Sequence, residues 1–411
     1  MAKPSDNKVP KIRFKGYGAE WTEDKLGERV AFFSGLTYSP RNVRNAGTLV
    51  LRSSNVKDGE IVNADNVYVD PKIVNSKNVE LGDIAVVVRN GSRSLIGKHA
   101  QVKKRMDNTV IGAFMTGIQS ERPAFTNALL DSHQFDKEIA KNLGATINQI
   151  TTGVFKKMVF HFPSPDEQSL IGEYFQELDQ AIALHQQKHD KLVTLKQAML
   201  QKLFPQPSTT TPEIRFKGFS KPWSVEKLHH FIEVSTEKNM DGAFGKEHVL
   251  SVSGDVGVVN QIEFQGRSFA GKSVQNYGVV KHRYIVYTKS PLKANPFGII
   301  KTNLHDDGIV STLYAIYKPK PQTDSVFVQY YFELDRRLNS YLKPLVNKGA
   351  KNDMKVSDEN ALLGKVIFPE KAEQQKIANY FLKLDELISK HAIQLAKFKQ
   401  LKSACLERMF V

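Results

Sequence analysis

The sequence predicts an α+β fold of two domains, each built on bent mixed sheets with helices. Two long antiparallel helices forming a coiled coil separate them, and the whole has approximate two-fold symmetry. Three observations carry this expectation. A segment near the start recurs at mid-chain, the far end of each half repeats as well, and each half closes on a heptad-spaced run too long for a domain core. At 411 residues the chain exceeds one ordinary core and suits two domains plus connections.

The opening segment Pro10-x-Ile-Arg-Phe-Lys-Gly-Tyr returns as Pro212-x-Ile-Arg-Phe-Lys-Gly-Phe, an offset of 202 residues. Trp21, Lys25 and Leu26 keep that offset against Trp223, Lys227 and Leu228, so both tryptophans sit at matching places. Later, Phe162-Pro163, Glu167-Gln168, Tyr174-Phe175 and Leu178-Asp179 match Phe368-Pro369, Glu373-Gln374, Tyr380-Phe381 and Leu384-Asp385 at an offset of 206. The interiors barely resemble each other. The period is far longer than a solenoid repeat, so this is a duplicated domain plus helix. The expected division is a first domain at 1–163, a helix at 164–204, a linker at 205–212, a second domain at 213–368 and a distal helix at 369–411.

The first helix should begin at Ser164-Pro165-Asp166-Glu167, a capping-box pattern with proline at the first helical position. Its seam runs through Ile171, Phe175, Leu178, Ile182, His185, His189 and Leu192 in steps of three and four and ends before Pro205. The second carries Ile377, Phe381, Leu384, Ile388, His391, Leu395 and Phe398 in the same rhythm. At 1.5 Å per residue, such helices reach roughly 57 Å and act as spacers that pair with each other. The Pro and Ser/Thr linker Pro205 to Pro212 allows the chain to reverse. His185 and His391 hold equivalent seam positions and are read as hydrogen-bonded seam histidines, with no metal assigned.

Short β-branched runs mark strands at Thr48 to Leu51, Asn66 to Val69, Ile84 to Val88 and Thr109 to Phe114. In the second half they fall at Val249 to Val252, Tyr284 to Tyr287, Gly298 to Ile300 and Gly308 to Tyr317. One helical stretch closes each interior, Phe125 to Asn142 and Val326 to Leu345. A net charge of +15, from 58 Lys and Arg against 43 Asp and Glu, draws the chain to polyanions without naming which. Basic and amide residues gather in the loops, where arginine suits guanine edges, asparagine suits adenine and lysine suits phosphate. The candidate contacts are Arg41, Arg44, Asn45, Arg52, Arg89, Asn90, Ser92, Arg93 and Lys98 in the first half. In the second they are Lys272, Lys289, Ser290, Lys293, Asn295 and Lys301.

Catalytic motifs fail in context. Gly266-Arg-Ser-Phe-Ala-Gly-Lys-Ser273 spells a phosphate-binding loop, but the residues after Ser273 read as a strand where such a loop must open a helix. Asn295-Pro296-Phe297 is similar to the Asn-Pro-Pro-aromatic motif of adenine-N6 methyltransferases but lacks the second proline. Metal-ligand spacings such as Cys-x-x-Cys are missing. The single Cys405 excludes an internal disulfide, and the beginning of the chain carries no apolar signal segment, so the expected compartment is the reducing cytoplasm. No run approaches the roughly 18 apolar residues of a spanning helix.

With its ordered, duplicated motifs, Ile12 to Gly16 with Trp21, Phe162-Pro163 before Glu167-Gln168, and Tyr174-Phe175 with Leu178-Asp179, the chain resembles the specificity subunit of type I restriction-modification systems over essentially its full length. The resemblance implies that each interior is a target-recognition domain reading one half of a split sequence in double-stranded DNA, while the helices fix the gap. It implies a non-catalytic subunit with no cofactor of its own. Two methyltransferase subunits would clasp the helices and methylate adenine N6 from S-adenosylmethionine, and restriction (translocase and endonuclease) subunits using ATP and magnesium would cleave. No residue-level recognition code carries over, because the interiors diverge. Two other readings compete. One is an enzyme, either the specificity half of a single-polypeptide restriction-modification enzyme or a nucleic-acid-dependent ATPase; the other is a helical scaffold joining two protein-binding modules, which would show no salt-dependent DNA affinity.

Overall fold

The repeated segments Ile12–Gly16 and Ile214–Gly218 build the same corner twice. Gly16 and Gly218 each turn the chain at φ 99°, a left-handed conformation that only glycine adopts without a Cβ penalty. The Ile12 amide donates to the Arg408 carbonyl at 3.0 Å, and the Ile214 amide to the Lys202 carbonyl at 3.0 Å. The Arg13 guanidinium donates to both Glu167 oxygens, at 2.6 and 2.7 Å, and Arg215 does the same to Glu373, at 2.7 Å to each oxygen. These contacts come from a computed structural model that describes residues 8–143, 148–207, 209–289, 292, 294–348 and 354–411.

Two compact units divide the chain, residues 1–187 with 392–411 and residues 188–391. In the first, Thr22–Lys25 pairs antiparallel with Val159–Phe162; in the second, Ser224–Lys227 pairs with Lys365–Phe368. Each unit has a four-stranded antiparallel sheet of one strand order. It runs Ala31–Ser34, Met115–Gln119, Ile84–Val87, His99–Gln101 in the first and Ile232–Val234, Tyr314–Pro319, Ile285–Thr288, Ile299–Thr302 in the second. The duplication therefore extends through the inner sheet. Divergence is concentrated in the outer layer. There the first unit has a mixed four-stranded sheet in which Thr109–Ile111 pairs parallel to Thr48–Leu51. The second unit instead has two antiparallel ribbons, Leu250–Ser253 with Gly257–Asn260 and Gly278–Val280 with Gly308–Val310.

Some expected elements divide. The run from Thr109 stops at Ile111, turns at Ala113-Phe114, where the Met115 amide closes on the Gly112 carbonyl at 2.9 Å, and a further strand begins at Met115. Gly308 to Tyr317 likewise splits into Gly308–Val310 and Tyr314–Pro319. The helical stretch from Phe125 is two helices, Pro123–Leu130 and His133–Asn142, broken where the Ser132 hydroxyl donates to the Leu129 carbonyl at 2.6 Å. Ser325–Tyr331 and Asp335–Leu342 divide the later stretch in the same way.

The long helices span Pro165–Lys202 and Lys371–Arg408, 38 residues each. Ser164 Oγ accepts from the Glu167 amide at 3.4 Å, but the Glu167 carboxylate, which a capping box would turn back on the N-cap, is committed to Arg13. In the first unit the helical segments run antiparallel. Tyr174 Oη lies 3.4 Å from Cys405 Sγ, Asp179 Oδ1 2.7 Å from Lys402 Nζ, and the His185 ring 5.4 Å from that of Phe398. In the second unit Lys196 Nζ meets Asp385 Oδ1 at 2.7 Å, and Phe204 stacks on Phe381 at 6.0 Å. Of the expected seam, Ile171, Phe175, Leu178, Ile377, Phe381 and Leu384 are buried, whereas Ile182, His185, Leu192, Ile388, His391, Leu395 and Phe398 are half-buried. Each helix ends by delivering a phenylalanine to a tryptophan: Phe410 meets Trp21 edge-on at 6.1 Å, and Phe204 meets Trp223 at 6.3 Å.

An ion network also repeats. In the first unit Lys402 bridges Asp131, at 2.8 Å, and Asp179, while His99 Nε2 lies 3.2 Å from Asp131. In the second, Lys196 bridges Glu333, at 3.4 Å, and Asp385, while Lys301 pairs with Glu333 at 2.7 Å. Burial pushes the Asp131 carboxyl up, but the hydrogen bonds and charges of His99 and Lys402 outweigh it and hold the group at about 2. A carboxylate held below its unfolded value contributes stability that is complete above pH ~4 and lost as pH falls toward 2. Asp131→Asn is therefore expected to lie about 2 kcal/mol below the parent at pH 5, and the gap should close by pH 2. Urea midpoints of both proteins across that range check it, and a gap constant with pH would contradict it.

Candidate nucleic-acid interface

The strand Ile84–Val87 delivers its downstream loop, residues 89–98, to the surface of the first unit, and hydrogen bonds knit that loop to three others. The Asn90 side chain donates to Ser53 Oγ at 2.9 Å, and the Lys98 ammonium to the Ser53 carbonyl at 3.4 Å. The Asn90 amide donates to the Asn148 carbonyl at 3.3 Å, and the Asn148 side chain returns to the Gly91 carbonyl at 3.0 Å. The Val88 and Arg89 amides both donate to the Phe114 carbonyl, at 3.0 and 3.2 Å. Asn90 Oδ1 accepts from the Ser92 amide at 3.0 Å, the Ser92 hydroxyl lies 2.9 Å from that of Ser94, and Arg93 donates to the Leu143 carbonyl at 3.3 Å.

The structure thus brings Arg89, Asn90, Ser92, Arg93 and Lys98 together on a surface whose backbone is fixed from several sides. Arg89, Ser92 and Arg93 are exposed, while Asn90 and Lys98 are half-buried. Arg52 stands on the loop after Thr48–Leu51, half-buried, with its guanidinium on the Asp65 carbonyl. Arg41, Arg44 and Asn45 form a separate exposed group on the outer sheet, where Arg44 is held by the Arg41 and Val43 carbonyls, at 2.8 and 3.0 Å, and by Asp70 at 3.3 Å.

The second unit departs further from expectation. Lys301 is 7% exposed and ion-paired with Glu333, so it belongs to the ion network; desolvation and its carboxylate partner prevent it from meeting a phosphate. Asn295 is buried with its side chain donating to Asp335 Oδ1 at 2.8 Å, and Lys289 is half-buried against Asp358 at 2.9 Å. These three side chains hold the domain together. Ser290 and Lys293 lie outside the described residues. Lys272 is exposed. Its phosphate-loop lookalike has no helix to open, since Gly266 caps the short helix Gln261–Gln265 and Ser273 leads through a turn into the strand Gly278–Val280.

Two exposed aromatic pairs leave no trace in the sequence pattern. The Arg89 guanidinium lies 5.0 Å over the Phe114 ring, and Arg267 lies 4.5 Å over Phe269. Both rings are 56% exposed. The glycine at position 112 is the available signal that the run from Thr109 breaks and leaves Phe114 at a loop. Among the described residues, no group of three His, Cys, Asp or Glu side chains could hold a metal, and no helix is long and apolar enough to cross a membrane.

Residues 19–194 match the family model described as the type I restriction modification DNA specificity domain. The chain is 25% identical over 162 residues to the type I restriction enzyme StySPI specificity subunit of Salmonella potsdam, a match covering 37% of this chain and 35% of that protein. It is 25% identical over 197 residues to the EcoKI specificity subunit of Escherichia coli K12, covering 46% and 41%. The matches therefore span well under half the length of these curated relatives. The fold is that of the type I restriction-modification S subunit from M. genitalium, with a TM-score of 0.63 at 14% identity over 98% of this chain and 99% of that one.

Proposed function

We propose that this chain, whose residues 19–194 match the type I restriction modification DNA specificity domain, is a member of that family and the non-catalytic subunit that reads a bipartite DNA target for its complex. The observation that carries the reading is a duplicated frame whose two copies enclose different outer layers, one of them bearing a braced, exposed basic loop at 89–98. One frame read twice suits two half-targets, and unlike outer layers suit unlike sequences. The net charge of +15 supports attraction to the phosphate backbone. Each helix supplies packing residues to both units, which suits a spacer that sets the gap between half-targets.

On this reading the chemistry belongs to partners in the cytoplasm. Two methyltransferase subunits supply S-adenosylmethionine-dependent methylation of adenine N6, and restriction subunits supply ATP- and magnesium-dependent cleavage. Co-expression with a cognate methyltransferase subunit, then genome-wide mapping of N6-methyladenine, should return a split motif with two unlike halves. Exchanging residues 28–160 for those of another such subunit should change one half-motif only. A change in both halves, or methylation without a split motif, would defeat the assignment.

A further inference from the structure

We infer that the Arg89–Phe114 pair is the sequence-determining contact of the first unit, reading a guanine beside a thymine in duplex DNA; the inference rests on the DNA-reading function proposed above. Arg89 follows and Phe114 precedes the two central strands of the inner sheet, Ile84–Val87 and Met115–Gln119, and the backbone fixes them to each other, because the Arg89 amide donates to the Phe114 carbonyl at 3.2 Å. An aromatic ring 56% exposed, at a loop with no core above it, is out of place on a surface made for water alone. Here it lies under a guanidinium 5.0 Å away, whose loop also carries Asn90, Arg93 and Lys98.

Stacking on a ring holds the arginine fork planar and extended, the posture in which its two donors match guanine O6 and N7. The remaining ring surface is apolar and suits the C5 methyl of a neighbouring thymine. Among the described residues the Arg89 guanidinium meets no carboxylate, in contrast with Lys301 and Lys289 of the second unit. The second unit offers the same chemistry on different elements, with Arg267 over an equally exposed Phe269 at 4.5 Å and Lys272 nearby in sequence. The outer layers differ between the units, so the pair recurs as chemistry and not as an inherited position.

The test selects binders from a random duplex library with the full chain. Wild type should enrich a split motif. Phe114→Ala should relax one thymine position in one half, weaken binding to the enriched duplex about 10- to 100-fold, and leave the affinity for a scrambled duplex and the salt slope unchanged. Arg89→Lys, which keeps the charge and loses the fork, should relax the adjacent guanine. Phe269→Ala should act on the other half alone. Phe114→Leu keeps an apolar side chain at the same place, so it separates loss of contact from loss of fold, and it should relax the motif less than alanine. An unchanged motif for Phe114→Ala, relaxation in both halves, or equal weakening on enriched and scrambled duplexes would overturn the inference while leaving the DNA-reading function standing. A wild-type chain that enriches nothing would remove both.

Discussion

Replacing Phe204 with alanine is expected to cost the second unit about 3–5 kcal/mol, a large share of a domain's ~5–15 kcal/mol. The side chain is fully buried among aromatic rings: Trp223 at 6.3 Å, Phe327 at 5.5 Å, Tyr331 at 5.8 Å and Phe381 at 6.0 Å. The Arg337 guanidinium lies 4.9 Å over the same ring, and burial already holds that cation below its ordinary value. Deleting the ring opens a cavity that four bulky neighbours cannot close by small rotations, and it removes the face on which a desolvated cation rests. The measurement is guanidinium unfolding monitored by fluorescence in a Trp21→Phe background, where Trp223 is the sole tryptophan. A loss under ~1 kcal/mol would show that the site collapses around the gap. Phe410→Ala poses the same question in the first unit, where Trp21, Phe125 and Phe175 surround the ring.

How much of this is legible in the sequence depends on which interactions leave a periodic or repeated trace. The long helices do, because a heptad stripe and a proline-led start are local signals that 38 residues of helix amplify. The frame does too, because it is written twice. The partnerships inside it do not, since Arg13 and Glu167 stand 154 residues apart and nothing in either motif names the other. Lys301 shows the cost of reading a loop cation alone. Its counterpart at the offset of 202 is His99, and both face a carboxylate at that same offset, Asp131 or Glu333. Carrying the repeat into the interior would have assigned it to the ion network. Phe114 reads as the end of a strand because a hydrophobic run hides a turn that Gly112 alone hints at, and the turn at Ala113-Phe114 leaves its ring outside the core.

The pairing of Arg13 with Glu167 makes the sharpest test of that frame. The carboxylate has no exposure and the guanidinium side chain 10%, and both bonds are short, at 2.6 and 2.7 Å. The hydrogen bond to Glu167 also holds the guanidinium above its ordinary value despite burial. Arg13→Met leaves a buried, unpaired carboxylate at the start of the first long helix and should cost about 3–5 kcal/mol. Glu167→Met strands the cation and should cost less, since a guanidinium on a flexible stem can reach water by rotating outward. The double replacement exchanges two desolvated charges for apolar surface of similar volume, so it should recover most of the loss and lie within ~1 kcal/mol of the parent. A double-mutant cycle by chemical unfolding, read through Trp21 in a Trp223→Phe background, measures all four corners. Additive losses would show that the two residues act independently, and the repeated Arg and Glu of the second unit would then need another explanation than their mutual charge.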